Sequence, residues 1–153
     1  IAIRDRVRRQ YMNDIYQSDT RPGIRGLIQK ATESGIRLAI GSSADRRWLD
    51  KHLNRLGLME HFEAVISADD VTQVKPAPDI YLKVLEKLQL TGDECVVFED
   101  SPNGLRASHL AGIKCVIIPN NVSHALDTSD ADLKLTKADE LPLSELLAKL
   151  QEQ

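Results

Sequence analysis

The sequence predicts an α/β fold in which an open parallel sheet carries helices on both faces. Two observations predict it: short apolar runs alternate with segments whose apolar residues recur at helical spacing, and the connections between them are short. The length of 153 residues suits one compact domain and is too short for two full-sized ones. No apolar run approaches the roughly 20 residues that span a bilayer, so we expect no membrane role.

The chain begins with a segment of helical pattern at residues 1–17, where apolar residues are spaced among arginines. Residues 20–23 read T-R-P-G and interrupt the pattern, which marks a boundary. The start lacks the long apolar stretch and small-residue cleavage site of a secretory signal, and we therefore expect a cytosolic protein.

After this boundary, apolar runs predict a buried strand at residues 36–41, further strands at 64–67, 95–100 and 114–119, and a weak strand at 132–135. Helical patterns predict helices at residues 24–33, 46–56, 79–88, 102–111 and 142–150. Asp45 and Ser101 are suitable N-caps for two of these helices, and Gly57 and Gly112 are suitable residues to end them.

The composition narrows the class of partner. The 20 basic and 23 acidic residues give a formal charge of -3, which offers no basic field for nucleic acid, so a small substrate is expected.

Cys95 and Cys115 each lie in an apolar, strand-like run. They are interpreted as buried, reduced thiols in preference to a disulfide or a redox pair.

Polar side chains follow three of the predicted strands. Ser42 and Ser43 come between a strand and a helix, Lys75 lies in the loop after the second strand, and Glu99 and Asp100 close the third. Because ligands bind beyond the carboxyl ends of parallel strands, we expect these side chains to share one crevice at that edge. A helix-start hydroxyl and a lysine can bind phosphate, and paired carboxylates suit magnesium.

Each of these features also has a structural explanation when taken alone. The serines can cap the helix, a loop lysine is usually solvated, and two adjacent acids can open a solvated turn. The combination favours a phosphate and magnesium site. The four histidines lack metal-type spacing, and the D-A-D at residues 130–132 precedes a strand, so it is interpreted as a solvated turn.

Three segments together resemble the haloacid dehalogenase superfamily, specifically its beta-phosphoglucomutase-like phosphatases. They are GIRLAIGSS at residues 35–43, VKPAPDIY at 74–81 and VVFEDSPNGLRASHLAG at 96–112. The resemblance implies that Ser42 supplies a phosphate-binding hydroxyl and Ser43 an amide that faces the phosphate. It implies that Lys75 bridges the nucleophile and the phosphate, and that Glu99 and Asp100 bind Mg²⁺.

The same resemblance implies a Rossmann-like core at residues 21–153 and a remnant of a helical cap and linker at residues 1–20. One family motif, D-x-D-G-T after an apolar strand, does not occur in the sequence. In the family this strand lies in the middle of the sheet, between the strands at residues 37–41 and 95–99, and carries the nucleophilic aspartate. We therefore expect an incomplete core whose nucleophile lies outside this chain, and no activity from the chain alone.

The leading hypothesis is a magnesium-dependent phosphatase, expected to be monomeric, that acts on a small phosphorylated metabolite through an aspartyl-phosphate. A phosphomutase of the same family and a non-catalytic binding protein remain open. A receiver-like signalling domain is a further alternative. A receiver would place its acid pair at the first strand and its lysine after the last, whereas Lys75 precedes Glu99 and Asp100 here.

Overall fold

The computed structural model describes residue 10 and residues 12–152. Residue 10 and residues 12–17 are helical, and the rest of the predicted N-terminal helix, at residues 1–9 and 11, lies outside the described residues. The helices that follow are α1 (Ile24–Glu33), α2 (Arg46–Arg55), α3 (Asp79–Leu88), α4 (Pro102–Leu110) and α5 (Leu143–Gln151). The strands are β1 (Ala39–Gly41), β2 (Ala64–Ile66), β3 (Val96–Glu99), β4 (Lys114–Ile117) and β5 (Leu133–Lys134).

All strand pairs described are parallel, which confirms the α/β fold with a parallel arrangement. β1 pairs with β2, with Ile40 opposite Val65, while β3, β4 and β5 form a second sheet in which Phe98 lies opposite Val116. The division between the two sheets falls between β1 and β3. The missing family motif predicts that a strand from outside this chain lies at this position.

The prediction that the first strand is buried is wrong. All three residues of β1 are only half-buried, and so are the four residues of β3. Among the described residues, each of these two strands pairs with a neighbour along one edge, and no strand lies along its other edge. By contrast β4, which has a neighbour on each side, has Cys115, Val116 and Ile117 fully buried. Cys95 and Cys115 are free thiols, the first half-buried and the second buried.

Helices cover both faces of the sheets. Alternate residues of β4 point to opposite sides: Cys115 and Ile117 pack with Leu105 of α4, whereas Val116 packs with Leu146 of α5. This alternation follows from the two-residue repeat of a strand. Burying a leucine as fully as Leu146 stabilises the fold by about 1.5–3 kcal/mol.

Local sequence signals explain where the helices that flank the candidate site begin. The Asp45 side chain accepts a hydrogen bond from the Trp48 amide at 2.8 Å and caps α2. Ser101 accepts one from the Gly104 amide at 3.2 Å and caps α4, in whose first turn Pro102 lies. Both caps were predicted.

Within the described range no helix combines the length and apolar character needed to cross a bilayer.

Candidate active site

The Lys75 side chain connects the carboxyl ends of β1 and β3, which belong to different sheets. Its Nζ donates a hydrogen bond to the Gly41 carbonyl at 2.8 Å and forms an ion pair with the Glu99 carboxylate. The side chains of Lys75 and Glu99 are only 12% and 9% exposed. A charge pair buried to this degree is tolerated when further hydrogen bonds satisfy both groups, so the surroundings of Glu99 are informative.

The Glu99 carboxylate is held from several directions. Its Oε1 accepts a hydrogen bond from the Tyr81 hydroxyl at 2.5 Å in addition to the contact with Lys75, and the Lys75 ammonium lies 4.6 Å from the centre of the Tyr81 ring. Burial, reinforced by the Glu99 charge, raises the pKa of Tyr81 far above its usual range. Tyr81 therefore keeps its proton and acts as a hydrogen-bond donor.

The other oxygen of Glu99 faces the first turn of α4. Oε2 accepts hydrogen bonds from the Asp100 amide at 3.2 Å and from the Ser101 hydroxyl at 3.5 Å. Gly104 leaves the space for this carboxylate, because a Cβ at position 104 would overlap it. Glu99 thus has one strongly held oxygen, Oε1, and one that is weakly held.

Asp100 provides a second carboxylate beside Glu99. Its Oδ2 accepts a hydrogen bond from the Asn120 side-chain amide at 2.7 Å, and the residue is half-buried. In the part of the chain that the structure describes, no group of three or more His, Cys, Asp or Glu side chains is placed to hold a metal. Two adjacent carboxylates nevertheless suit Mg²⁺, which usually binds one or two protein carboxylates and takes its remaining ligands from water and phosphate.

Ser42 directly follows Gly41, the residue whose carbonyl Lys75 contacts. Its hydroxyl accepts a hydrogen bond from the Ala44 amide at 3.2 Å, and the residue is among those that line a cavity of about 320 Å³ with largely apolar walls. Ser43 is exposed. Since Asp45 caps α2, neither serine is needed for that purpose, which removes the main structural explanation for the pair. Within the described residues no hydrogen bond joins either serine to Lys75 or the acids.

His52 and Asp132, to which the sequence assigns no role in the site, both make contacts with other parts of the fold. His52 is buried and stacks on Tyr16 with ring centroids 5.2 Å apart. The interpretation of residues 130–132 as a solvated turn is wrong for Asp132. Its half-buried Oδ2 accepts hydrogen bonds from the Cys115 amide at 2.7 Å and from His109 at 2.8 Å, because the turn folds back against the start of β4.

Sequence reasoning did not single out two residues that contact the predicted acids. Tyr81 lies inside the VKPAPDIY segment, but it also falls on the apolar face of a helix and can be explained as a core residue. Asn120 lies in a polar loop, 20 residues after Asp100 in the chain. Only the three-dimensional structure connects it with the site.

The polar side chains described above lie at the carboxyl ends of parallel strands. This arrangement is typical of α/β proteins that bind ligands at that edge of the sheet. The chain belongs to the haloacid dehalogenase-like hydrolase family, whose model matches residues 2–118. The family expected from the motifs, a family of enzymes, is thereby confirmed.

Individual relatives agree with this assignment. The chain is 38% identical to YhcW of Bacillus subtilis over 146 residues, and 36% identical to the phosphorylated carbohydrates phosphatase of Thermotoga maritima over 113. These matches cover 95% and 74% of the chain, but it spans only 66% and 51% of the two relatives. A crystal structure of mutant CbbY from Rhodobacter sphaeroides with xylulose-(1,5)bisphosphate superposes with a TM-score of 0.82 and 31% identity, over 90% of this chain and 64% of that one.

Proposed function

We propose that this chain is the core of a magnesium-dependent phosphatase that hydrolyses a small phosphorylated carbohydrate. The observation that carries the proposal is the position of Lys75, whose ammonium joins the ends of β1 and β3 beside Glu99. The relatives support the substrate class, since one is a phosphatase of phosphorylated carbohydrates and another was crystallised with a sugar bisphosphate.

Lys75 and the two serines would bind the phosphoryl group. The Lys75 ammonium lies close to Gly41, and its charge would attract phosphoryl oxygens at the end of β1. Ser42, the next residue, would donate its hydroxyl to the same group, and the Ser43 amide would face it from the turn before α2. Two different strand ends would therefore hold and orient one anion.

Glu99 and Asp100 would hold the magnesium ion. Oε2 of Glu99 and the carboxylate of Asp100 offer hard oxygen atoms beside the N-terminus of α4. When bound, the cation would neutralise charge on the phosphoryl oxygens during transfer. The firm contacts of Oε1 with Lys75 and Tyr81 would keep the Glu99 carboxylate in a fixed orientation.

The proposed nucleophile would lie outside this sequence, in which the motif D-x-D-G-T does not occur. We propose an aspartate from a D-x-D-G-T segment, whose carboxylate would attack the phosphorus between the ends of β1 and β3. The P–O bond to the sugar would break as the aspartyl-phosphate forms, and the sugar would leave as its alcohol. Water would then hydrolyse the aspartyl-phosphate, which releases orthophosphate and restores the carboxylate. We call the polypeptide that contains both this segment and the present chain the complete protein. A cytosolic location and a monomeric state belong to the same proposal, and the free thiols of Cys95 and Cys115 are compatible with that compartment.

Kinetics of the complete protein test this function. Asp100→Ala is expected to lower magnesium-dependent hydrolysis of an aryl phosphate by at least about 100-fold, because it removes a metal ligand. Asp130→Ala is the matched control, since Asp130 is an exposed aspartate outside the site. Turnover that survives Asp100→Ala as well as it survives Asp130→Ala would refute the proposed metal site. Hydrolysis of nucleotides or phosphopeptides in preference to sugar phosphates would refute the proposed substrate class.

A further inference from the structure

The loop after β4 places a neutral amide donor against one of the two proposed metal ligands. Asn120 Nδ2 donates a hydrogen bond to Asp100 Oδ2 at 2.7 Å, although the two residues lie on different loops. We propose that Asn120 is a positioning residue, which fixes the Asp100 carboxylate in the orientation that binds magnesium. This inference rests on the proposed function and adds to it a residue outside the recognised motifs.

The orientation of the Asn120 amide follows from its other contacts. Its Oδ1 accepts hydrogen bonds from the backbone amides of Val122 at 2.7 Å and Ser123 at 2.8 Å. Two backbone donors require an acceptor, so the oxygen of the side chain must face the turn and the NH₂ group must face Asp100. The backbone N–H of Asn120 donates to the hydroxyl of Ser123, a buried residue, at 2.9 Å. The donor to Asp100 is therefore built into a closed turn.

Hydrogen bonds hold the loop that carries Asn120 against the end of β3 and against Arg21. The Ile118 amide donates to the Glu99 carbonyl at 2.8 Å, which ties the start of the loop to the end of β3. The Arg21 guanidinium donates to the Ile118 and Pro119 carbonyls at 2.7 and 2.6 Å. These contacts hold the loop in place just before Asn120, so its side chain cannot easily move away from Asp100.

The chemistry of the contact suits a metal ligand. Asn120 is uncharged, so it restrains Oδ2 of Asp100 without competing for the carboxylate as a lysine or arginine would. In the described part of the chain Oδ1 of Asp100 has no hydrogen-bond partner, which leaves this oxygen for a cation. Removing the hydrogen-bond partner of a metal-binding side chain typically weakens metal affinity by about 10–100-fold. We expect an effect of that size for Asn120.

The test measures magnesium binding directly, by calorimetric titration of the complete protein with magnesium chloride in the absence of substrate. Asn120→Ala is expected to weaken binding by about 10–100-fold. Ser123→Ala is the matched control, because it removes a hydrogen bond from the same turn and leaves the Asp100 contact in place. We expect that control to weaken binding by less than about threefold. At saturating magnesium, the KM of Asn120→Ala for an aryl phosphate should stay close to that of the parent protein.

Two results would overturn the inference while the proposed function stands: parent-like magnesium affinity in Asn120→Ala, or an equal loss in Ser123→Ala, which would show that the turn matters and the contact does not. Asp100→Ala measured alongside separates these results from a failure of the proposed function. If that variant binds magnesium as tightly as the parent, the metal site itself is wrong, and the role of Asn120 is refuted with it.

Discussion

Removal of the Tyr81 hydroxyl tests whether the buried contacts of Glu99 are as strong as their geometry indicates. Tyr81 is 5% exposed, and its hydroxyl donates to Glu99 Oε1 at 2.5 Å. The variant Tyr81→Phe deletes this donor and keeps the ring, which packs against Ala107 and Ile113. Because no cavity opens, the change in stability reports the hydrogen bond and not the loss of core packing.

The expected magnitude follows from the charge and burial of the acceptor. A hydrogen bond to a charged group contributes about 1.5–3 kcal/mol, and little solvent is available to replace the lost donor because the Glu99 side chain is 9% exposed. For an unfolding slope of about 2 kcal/mol per molar urea, this loss moves the midpoint down by about 1 M. The effect should be constant from pH 6 to about pH 9, because the raised pKa of Tyr81 keeps its hydroxyl protonated.

The assay is urea unfolding of the complete protein, with Tyr16→Phe as the matched control. The Tyr16 hydroxyl accepts a hydrogen bond from Lys51 at 2.7 Å at the surface, so its removal should change the midpoint little. A double-mutant cycle with Glu99→Gln would then isolate the coupling between Tyr81 and Glu99. Midpoints for Tyr81→Phe and Tyr16→Phe that agree within error would refute the reasoning.

Substitutions at three further positions test the roles of Lys75, Gly104 and Asp70. Lys75→Ala should reduce turnover of the complete protein severely and Lys75→Arg should restore it only in part, since a planar guanidinium cannot replace a compact ammonium; full activity in the arginine variant would contradict this. Gly104→Ala should displace the Glu99 carboxylate and weaken magnesium binding in a calorimetric titration, and unchanged affinity would show that Glu99 adapts without loss. Hydrogen bonds from Ser67 and the nearby Arg46 charge lower the pKa of Asp70, so its folded pKa lies below the unfolded value. Asp70 therefore stabilises the fold above about pH 4 and loses this effect as pH falls through the folded pKa, so the urea midpoints of the parent and Asp70→Asn should converge in acid. A difference independent of pH would contradict that assignment.

Sequence patterns were sufficient for the order and type of the helices and strands and for two helix caps, but the observed strands are shorter than predicted: β1 begins at Ala39 and not at residue 36, and β4 ends at Ile117 and not at residue 119. Glu99 closes β3 as expected from the acids that follow an apolar run, and Asp45 and Ser101 cap the predicted helices. In the fold, Lys75 contacts the ends of β1 and β3. Its position in a loop after a strand predicted the edge of the sheet at which it lies, but not these contacts. Local signals of this kind are predictable because caps and strand ends depend on neighbouring residues.

The contacts that complete the site depend on packing between distant segments. Asn120 reaches Asp100 because β4 lies beside β3, and no local pattern in the loop indicates that neighbour. The half-buried state of β1 has a similar origin, since it depends on which segments lie beside the strand as well as on the apolar character of its residues. Asp132 was misread because the segment folds back onto the Cys115 amide, a contact 17 residues away in the chain.

We propose that Ser42, Lys75, Glu99 and Asp100 form one site for phosphate and magnesium. The decisive measurement is a crystal structure of the complete protein with magnesium and orthovanadate, which imitates a phosphoryl group during transfer. We expect the vanadate against the Ser42 hydroxyl and the Lys75 ammonium, with the magnesium ion on the carboxylate of Asp100. A vanadate bound away from Ser42 and Lys75, or a magnesium ion held without Asp100, would contradict it.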